Sequence, residues 1–170
     1  MPNLHPVLVH FPIALLSTAL LFDLACFVLR RWVWLDRAAV SLYGLGVLGA
    51  GGAVWAGKHA AAQVGPVSSE IERLIADHSD WAFLTVIAFI GTTLLRFEVA
   101  WRDQREPSLR RGRLRIMALV LAIGGQWVLL QTADRGATLV YRHGVAVGRE
   151  ECRLMKEVPE VSYERRSHPG

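Results

Sequence analysis

The sequence predicts an all-α integral membrane protein: a four-helix bundle of four transmembrane spans with a short C-terminal extramembrane extension. Three observations predict it. Apolar residues make up 52% of the 170 positions and are concentrated in blocks, which a typical soluble domain does not show. Three of the four blocks approach the ~20 residues needed to cross a hydrocarbon core of about 30 Å. The net charge of +4 comes almost wholly from arginines, and these gather between the blocks, where they report topology rather than a nucleic-acid surface.

The spans are expected at about 7–29, 38–60, 69–97 and 115–133, giving a transmembrane domain over 1–135 and an extension over 136–170. The first has no basic residue before it, and Arg30 and Arg31 follow it, so it reads as a retained span rather than a secretory signal. The second is rich in small residues. Gly49, Ala53 and Gly57 recur every four positions beside Gly44, Gly52, Ala56 and Ala60, a pattern that favours close helix contact in lipid. The third apolar block, from about Trp81 to Leu95, is short, but Ser69-Glu70-Ile71-Glu72 has the form of a capping box. Ile71, Leu74, Ile75, His78 and Ala82 then share one face, so a single helix is expected to start near Ser69 and enter the membrane after an amphipathic opening. The fourth span ends near Ala133. Beyond it, Ala137–Tyr141 and Val145–Gly148 look like two short β-prone runs around a His143-Gly144 turn, a possible β-hairpin. No internal repeat is apparent beyond the alternation of spans and loops.

Ten arginines flank the loops after spans one and three, against six basic residues on the other face. The positive-inside rule then puts both termini and the 58–80 loop outside the cytoplasm. Cys26 lies in the first span and Cys152 in the polar tail, so no disulfide is expected. The six tryptophans fall mostly near span ends, as an aromatic belt would.

This topology gathers the histidines. His5 and His10 open span one, His59 closes span two, and His78 precedes the embedded part of span three, all at the outer surface. An ionisable residue at a span is a functional hypothesis by default. On helical spacing His10 is followed by Ala14 and Ser17, and His78 by Ala82 and Thr85. Facing helices of a bundle carry cofactor sites, so His10 and His78 are the expected axial ligands of a haem b whose pocket Ala14, Ser17, Ala82 and Thr85 would line. The competing reading is that the small residues serve packing and the histidines bond to loops and water. His5 and His59, with His10 and His78, form an alternative transition-metal or quinone site.

Pro12 either sits inside the first helix and frees the Leu8 carbonyl, or is the first helical residue. Asp23 is a buried charge that would pair with Arg30, bond to Ser41 or Tyr43, or join a proton path; a structural role is the stronger expectation. Gln126 is an expected interhelical hydrogen-bonding group. No phosphate-binding glycine loop, Gly-x-Ser-x-Gly or His-Glu-x-x-His stands in the sequence, and no catalytic residue is assigned.

The stretch His5-Pro6-x-x-Val9-His10-Phe11-Pro12-Ile13-Ala14-Leu15 resembles the opening signature of a prokaryotic family of small four-helix membrane proteins, domain of unknown function 2231. The resemblance extends to Ala56-Gly57 with Ala60, to His78, and to Leu139-Val140-Tyr141-x-His143-Gly144-Val145, covering roughly residues 4–148. The family pattern has glycines near Ala137 and Ala146, where this chain has alanine. The resemblance implies the four-span fold and supplies no established activity. Relatives that occur fused to or beside redox proteins favour the haem expectation. The expected protein is therefore a multi-pass subunit of the prokaryotic cytoplasmic membrane, redox-associated or electron-transferring. Its alternative is a cofactor-free accessory subunit of a larger membrane complex; its partners are the bilayer and such a complex, and not nucleic acid.

Overall fold

A computed structural model describes residues 5–29, 33–63, 65–103 and 110–145. They form four long helices, α1 (His5–Val28), α2 (Val33–Ala62), α3 (Ser69–Asp103) and α4 (Arg110–Tyr141). All four are long and apolar enough to cross a membrane. Such helices satisfy every backbone group within the segment, which lipid demands. Their threonines follow the same logic: Thr92 and Thr93 donate to the carbonyl four residues back, and Thr85 and Thr132, which bond to each other, leave one proton for such a carbonyl.

Helix ends show how local chemistry set the boundaries. Pro6 occupies the first turn of α1, where a missing N–H costs nothing. Pro12 lies inside the helix, buried, and its ring lies against Gly49 of α2. The cap of α3 is Ser68, one residue before the expected Ser69. Its hydroxyl accepts from the Ile71 N–H at 3.4 Å and its carbonyl from the Glu72 N–H at 3.1 Å. Glu70 and Glu72 in the first turn complement the positive end of the helix dipole.

The expected hairpin after residue 136 is not formed among the described residues. Ala137–Tyr141 are the last turns of α4, and His143-Gly144 is the stop of that helix. Gly144 takes a left-handed φ of +61°, its N–H bonds to the Val140 carbonyl, and the Val145 N–H reaches back to the Leu139 carbonyl. Burial of Leu139 overrides the β preference of the local residues. Positions 146–148 of the second run lie outside the described residues.

α1 packs along α2 and α3 along α4, while α2 against α3 and α1 against α4 close the ring. α1 and α3 therefore stand on one diagonal of the bundle, α2 and α4 on the other. The N-termini of α1 and α3 and the C-termini of α2 and α4 share one end, here called the histidine end; the opposite end is rich in arginine.

The packing reveals a repeat that composition hides. Pro12, Leu16, Ala19, Asp23 and Cys26 are the buried positions of α1, and Thr85, Phe89, Thr92, Arg96 and Val99 are buried on α3 at the same spacing. Ala39, Tyr43, Gly46 and Ala50 on α2 correspond likewise to Ala118, Ala122, Gly125 and Leu129 on α4. The two hairpins thus use one inward register, related by a pseudo-twofold along the bundle. Even the tight spots match. A Cβ on Gly46 would stand 2.5 Å from Leu16, and one on Gly125 would stand 3.3 Å from Phe89, the equivalent residue. Residue identities differ at most of these positions, so the repeat is one of register and not of sequence.

Candidate functional site: a paired-histidine end and a buried ionic cluster

His5 and His78 are the histidines that turn toward neighbouring helices. The His5 Nδ1 lies 3.0 Å from the Ala53 carbonyl on α2, and the His78 Nδ1 lies 3.1 Å from the Thr132 carbonyl on α4. A carbonyl only accepts, so both rings carry their proton on Nδ1 and keep an Nε2 lone pair. Each ring then lies across a glycine one turn further along the same neighbour. A Cβ on Gly57 would come 2.9 Å from the His5 Cε1, and one on Gly136 would come 3.0 Å from the His78 Cε1. Ala53 and Gly57 correspond to Thr132 and Gly136 in the repeat, as His5 does to His78. The two imidazoles are therefore held in the same way by equivalent groups. They stand on diagonal helices at the same end of the bundle.

His10 stands elsewhere. It is exposed on α1, together with Ala14, Leu21 and Leu24, so this face looks away from the bundle. Ser17, between the two faces, accepts a hydrogen bond from the Gln126 amide at 2.9 Å, which joins α1 to α4. Of the expected lining on α3, Thr85 is buried and shares a 2.8 Å hydroxyl bond with Thr132, directly below the His78 contact, while Ala82 is half-buried. His59 is exposed. Its Nδ1 bonds to the Trp55 carbonyl at 2.9 Å and its ring lies on the Trp55 indole. Among the described residues no three metal-ligating side chains gather. Thus His5 and His78 are held against neighbouring helices, while His10 and His59 are exposed.

His5 precedes the apolar span of α1. Burial pushes its imidazole below the usual value of 6.5, and the hydrogen bond to Ala53 opposes that shift only in part. Beside His78, Arg135 donates from Nε to Asp77 at 2.7 Å and from Nη1 to the backbone and side chain of Gln131. Its guanidinium lies over the Trp81 ring at 4.2 Å, and Trp81 meets Trp127 edge-on.

The arginine end holds a second cluster. Arg96 Nη2 bridges Asp23 at 2.6 Å and Asp36 at 2.8 Å, Arg115 approaches Asp36 at 3.7 Å, and Tyr43 donates to Asp23 at 3.1 Å. Arg96 and Asp23 are each 4% exposed, so this is a buried pair that removal of either partner would leave uncompensated. Asp23 and Arg96 occupy equivalent positions of the repeat, and so do Asp36 and Arg115. Opposite charges thus meet across the pseudo-twofold where identical ones would repel. Tyr43 is one of the partners expected for Asp23, whereas Arg96, at the end of the third apolar block, is expected among the loop arginines; nothing in the sequence marks the helix rotation that buries it. Two buried atoms, Arg96 Nε and Gln126 Oε1, have no hydrogen-bond partner among the described residues.

Taken together, the four apolar spans and their polar interior define a multi-pass membrane protein. The description of the predicted membrane protein family DUF2231 matches residues 1–149, and the chain belongs to that family. No curated protein and no solved structure matches it.

Proposed function

We propose that this protein is a small redox-associated or electron-transfer subunit that holds haem b at its histidine end, with His5 and His78 as axial ligands. One observation carries the reading. Two imidazoles on diagonal helices are oriented by equivalent backbone carbonyls, which fixes the tautomer that leaves both Nε2 atoms as ligands. Second-group orientation of this kind, with Nδ1–H donated to a carbonyl, is how proteins prepare histidine for a metal.

The donor count favours haem over a bare ion. Zinc and copper sites use three or four protein ligands. A haem iron takes four nitrogens from its macrocycle and needs only two from the chain. When bound, haem supplies a reversible one-electron couple; the chain's residues orient the ligands and keep water from the site. Leu16, Phe89 and Leu129 belong to the apolar core deeper in the same bundle. The arginine distribution favours an extracytoplasmic histidine end in a prokaryotic cytoplasmic membrane, where a redox partner would be external.

The test is a visible spectrum of the purified full-length protein. A Soret band with a sharp reduced α-band is expected, abolished as a low-spin signal by His5→Ala and by His78→Ala and kept in His10→Ala. Absence of haem in protein expressed with ample haem supply would reject the reading and leave the cofactor-free accessory subunit in its place. Loss in His10→Ala with retention in His5→Ala would restore His10 as the ligand.

A further inference from the structure

We propose that the buried ionic cluster selects which hairpins pair: acids on the first and bases on the second admit the unlike pair and reject like pairs between two copies of the chain. The proposal is independent of the haem reading.

The charges are sorted by hairpin. Asp23 and Asp36 belong to α1 and α2, Arg96 and Arg115 to α3 and α4. The ion pairs therefore all cross between hairpins: Arg96 to Asp23 at 2.6 Å, Arg96 to Asp36 at 2.8 Å and Arg115 to Asp36 at 3.7 Å. The hydrogen bond from the Tyr43 hydroxyl to Asp23, by contrast, stays within the first hairpin. Among the described residues, Asp23 and Arg96 are also the charged side chains that are buried.

The common register makes a selector necessary. Both hairpins bury the same positions, so register alone does not tell the true partner from a second copy. Apolar contact adds little discrimination in lipid, where every neighbour is apolar. Charge does discriminate. Two first hairpins would set Asp23 and Asp36 against the same two carboxylates, with neither arginine between them. Two second hairpins would set Arg96 and Arg115 against their own kind. Like charges so placed, away from water, are strongly unfavourable. The unlike pair neutralises all four groups. Order of synthesis fits the same logic. The first hairpin is made before the second, and Tyr43 gives Asp23 a donor until Arg96 arrives.

Paired cysteines report the partner, in full-length chains that also carry Cys26→Ala and Cys152→Ala. Ser17 meets Gln126 at 2.9 Å in the unlike pair, and Val47 is the equivalent of Gln126 in the first hairpin. Ser17→Cys with Gln126→Cys should therefore link within one chain. Ser17→Cys with Val47→Cys should link two copies whose first hairpins have paired. With the native charges, oxidation of membranes holding the chain should give the first link and almost no covalent dimer of the second kind. Asp23→Leu, Asp36→Leu, Arg96→Met and Arg115→Met together remove the selector and keep the interior filled, a replacement that buried ion pairs tolerate. In that background the 17–47 dimer should rise about tenfold, as loss of a discriminating interaction allows. No rise would overturn the proposal whatever happens to thermal stability, since a merely stabilising cluster changes stability and not partner choice. Should the fourfold variant fail to fold, Asp23→Leu with Arg96→Met is read in the same way. More dimer supports the selector, and an unchanged fraction refutes it.

Discussion

His5 and His10 show how much a single helical position decides. Both precede or open an apolar helix, and both carry the same side chain, yet one turns into the bundle and the other out of it. α1 is apolar on all sides, so periodicity could not say which face was inner. The buried Pro12, Leu16, Ala19 and Asp23 settle it. His5 also gives the protein a pH dependence. Its folded value lies below the unfolded 6.5, so the unfolded chain takes up the proton first. The stability that neutral His5 contributes is whole above about pH 6.5 and drains as pH falls below it. Denaturant titrations of the cofactor-free protein in detergent should show a midpoint that declines from about pH 7 to about pH 5, and His5→Gln should flatten that decline. A decline unchanged in His5→Gln would assign it to other groups.

At the scale of the helix, ends were set by single residues and lengths by packing. Ser68 supplies the cap of α3, so Ser68→Ala should cost about 1 kcal/mol of stability and Ser69→Ala only a few tenths. Equal effects in thermal unfolding of the two variants would contradict the assignment. The four spans were legible because lipid allows only one way to satisfy a backbone of that length. The C-terminal turns of α4 were not legible. Thr138, Leu139, Val140 and Tyr141 favour strands locally, but Leu139 buries against the bundle and the helix runs on to a glycine stop. Local propensity lost to a contact that sequence does not display.

At the scale of the whole molecule, the two hairpins meet with one register and opposite charges. The Asp23–Arg96 pair lies across the diagonal and is nearly dry. Asp23→Asn and Arg96→Gln should each cost about 3–5 kcal/mol, because each leaves a buried group without its partner. The exchange Asp23→Arg with Arg96→Asp should recover little of that loss, because it sets a carboxylate at position 96 beside Asp36 and removes the acceptor of the Tyr43 hydroxyl. Reversible unfolding in mixed micelles measures all three. Full recovery in the exchanged variant would show that Asp36 and Tyr43 do not distinguish the two positions. Arg115→Gln, at a longer approach and 34% exposed, should cost far less.

The sequence by itself determined that this is a four-span membrane protein, because hydropathy and arginine placement are properties of composition along the chain. It also singled out His10 and His78, with His5 and His59 as alternatives, and Asp23 and Gln126 as buried polar groups, since polar groups at such depth are rare enough to stand out. Only the tertiary structure decided which of them meet. The placing of α1 and α3 on one diagonal, the turning of His5 and not His10 toward a neighbouring helix, and the joining of Asp23 to Arg96 all depend on how each helix is rotated about its axis. In a helix apolar on every side nothing local fixes that rotation; it is set by packing, as where Gly46, Gly57, Gly125 and Gly136 leave room for Leu16, His5, Phe89 and His78.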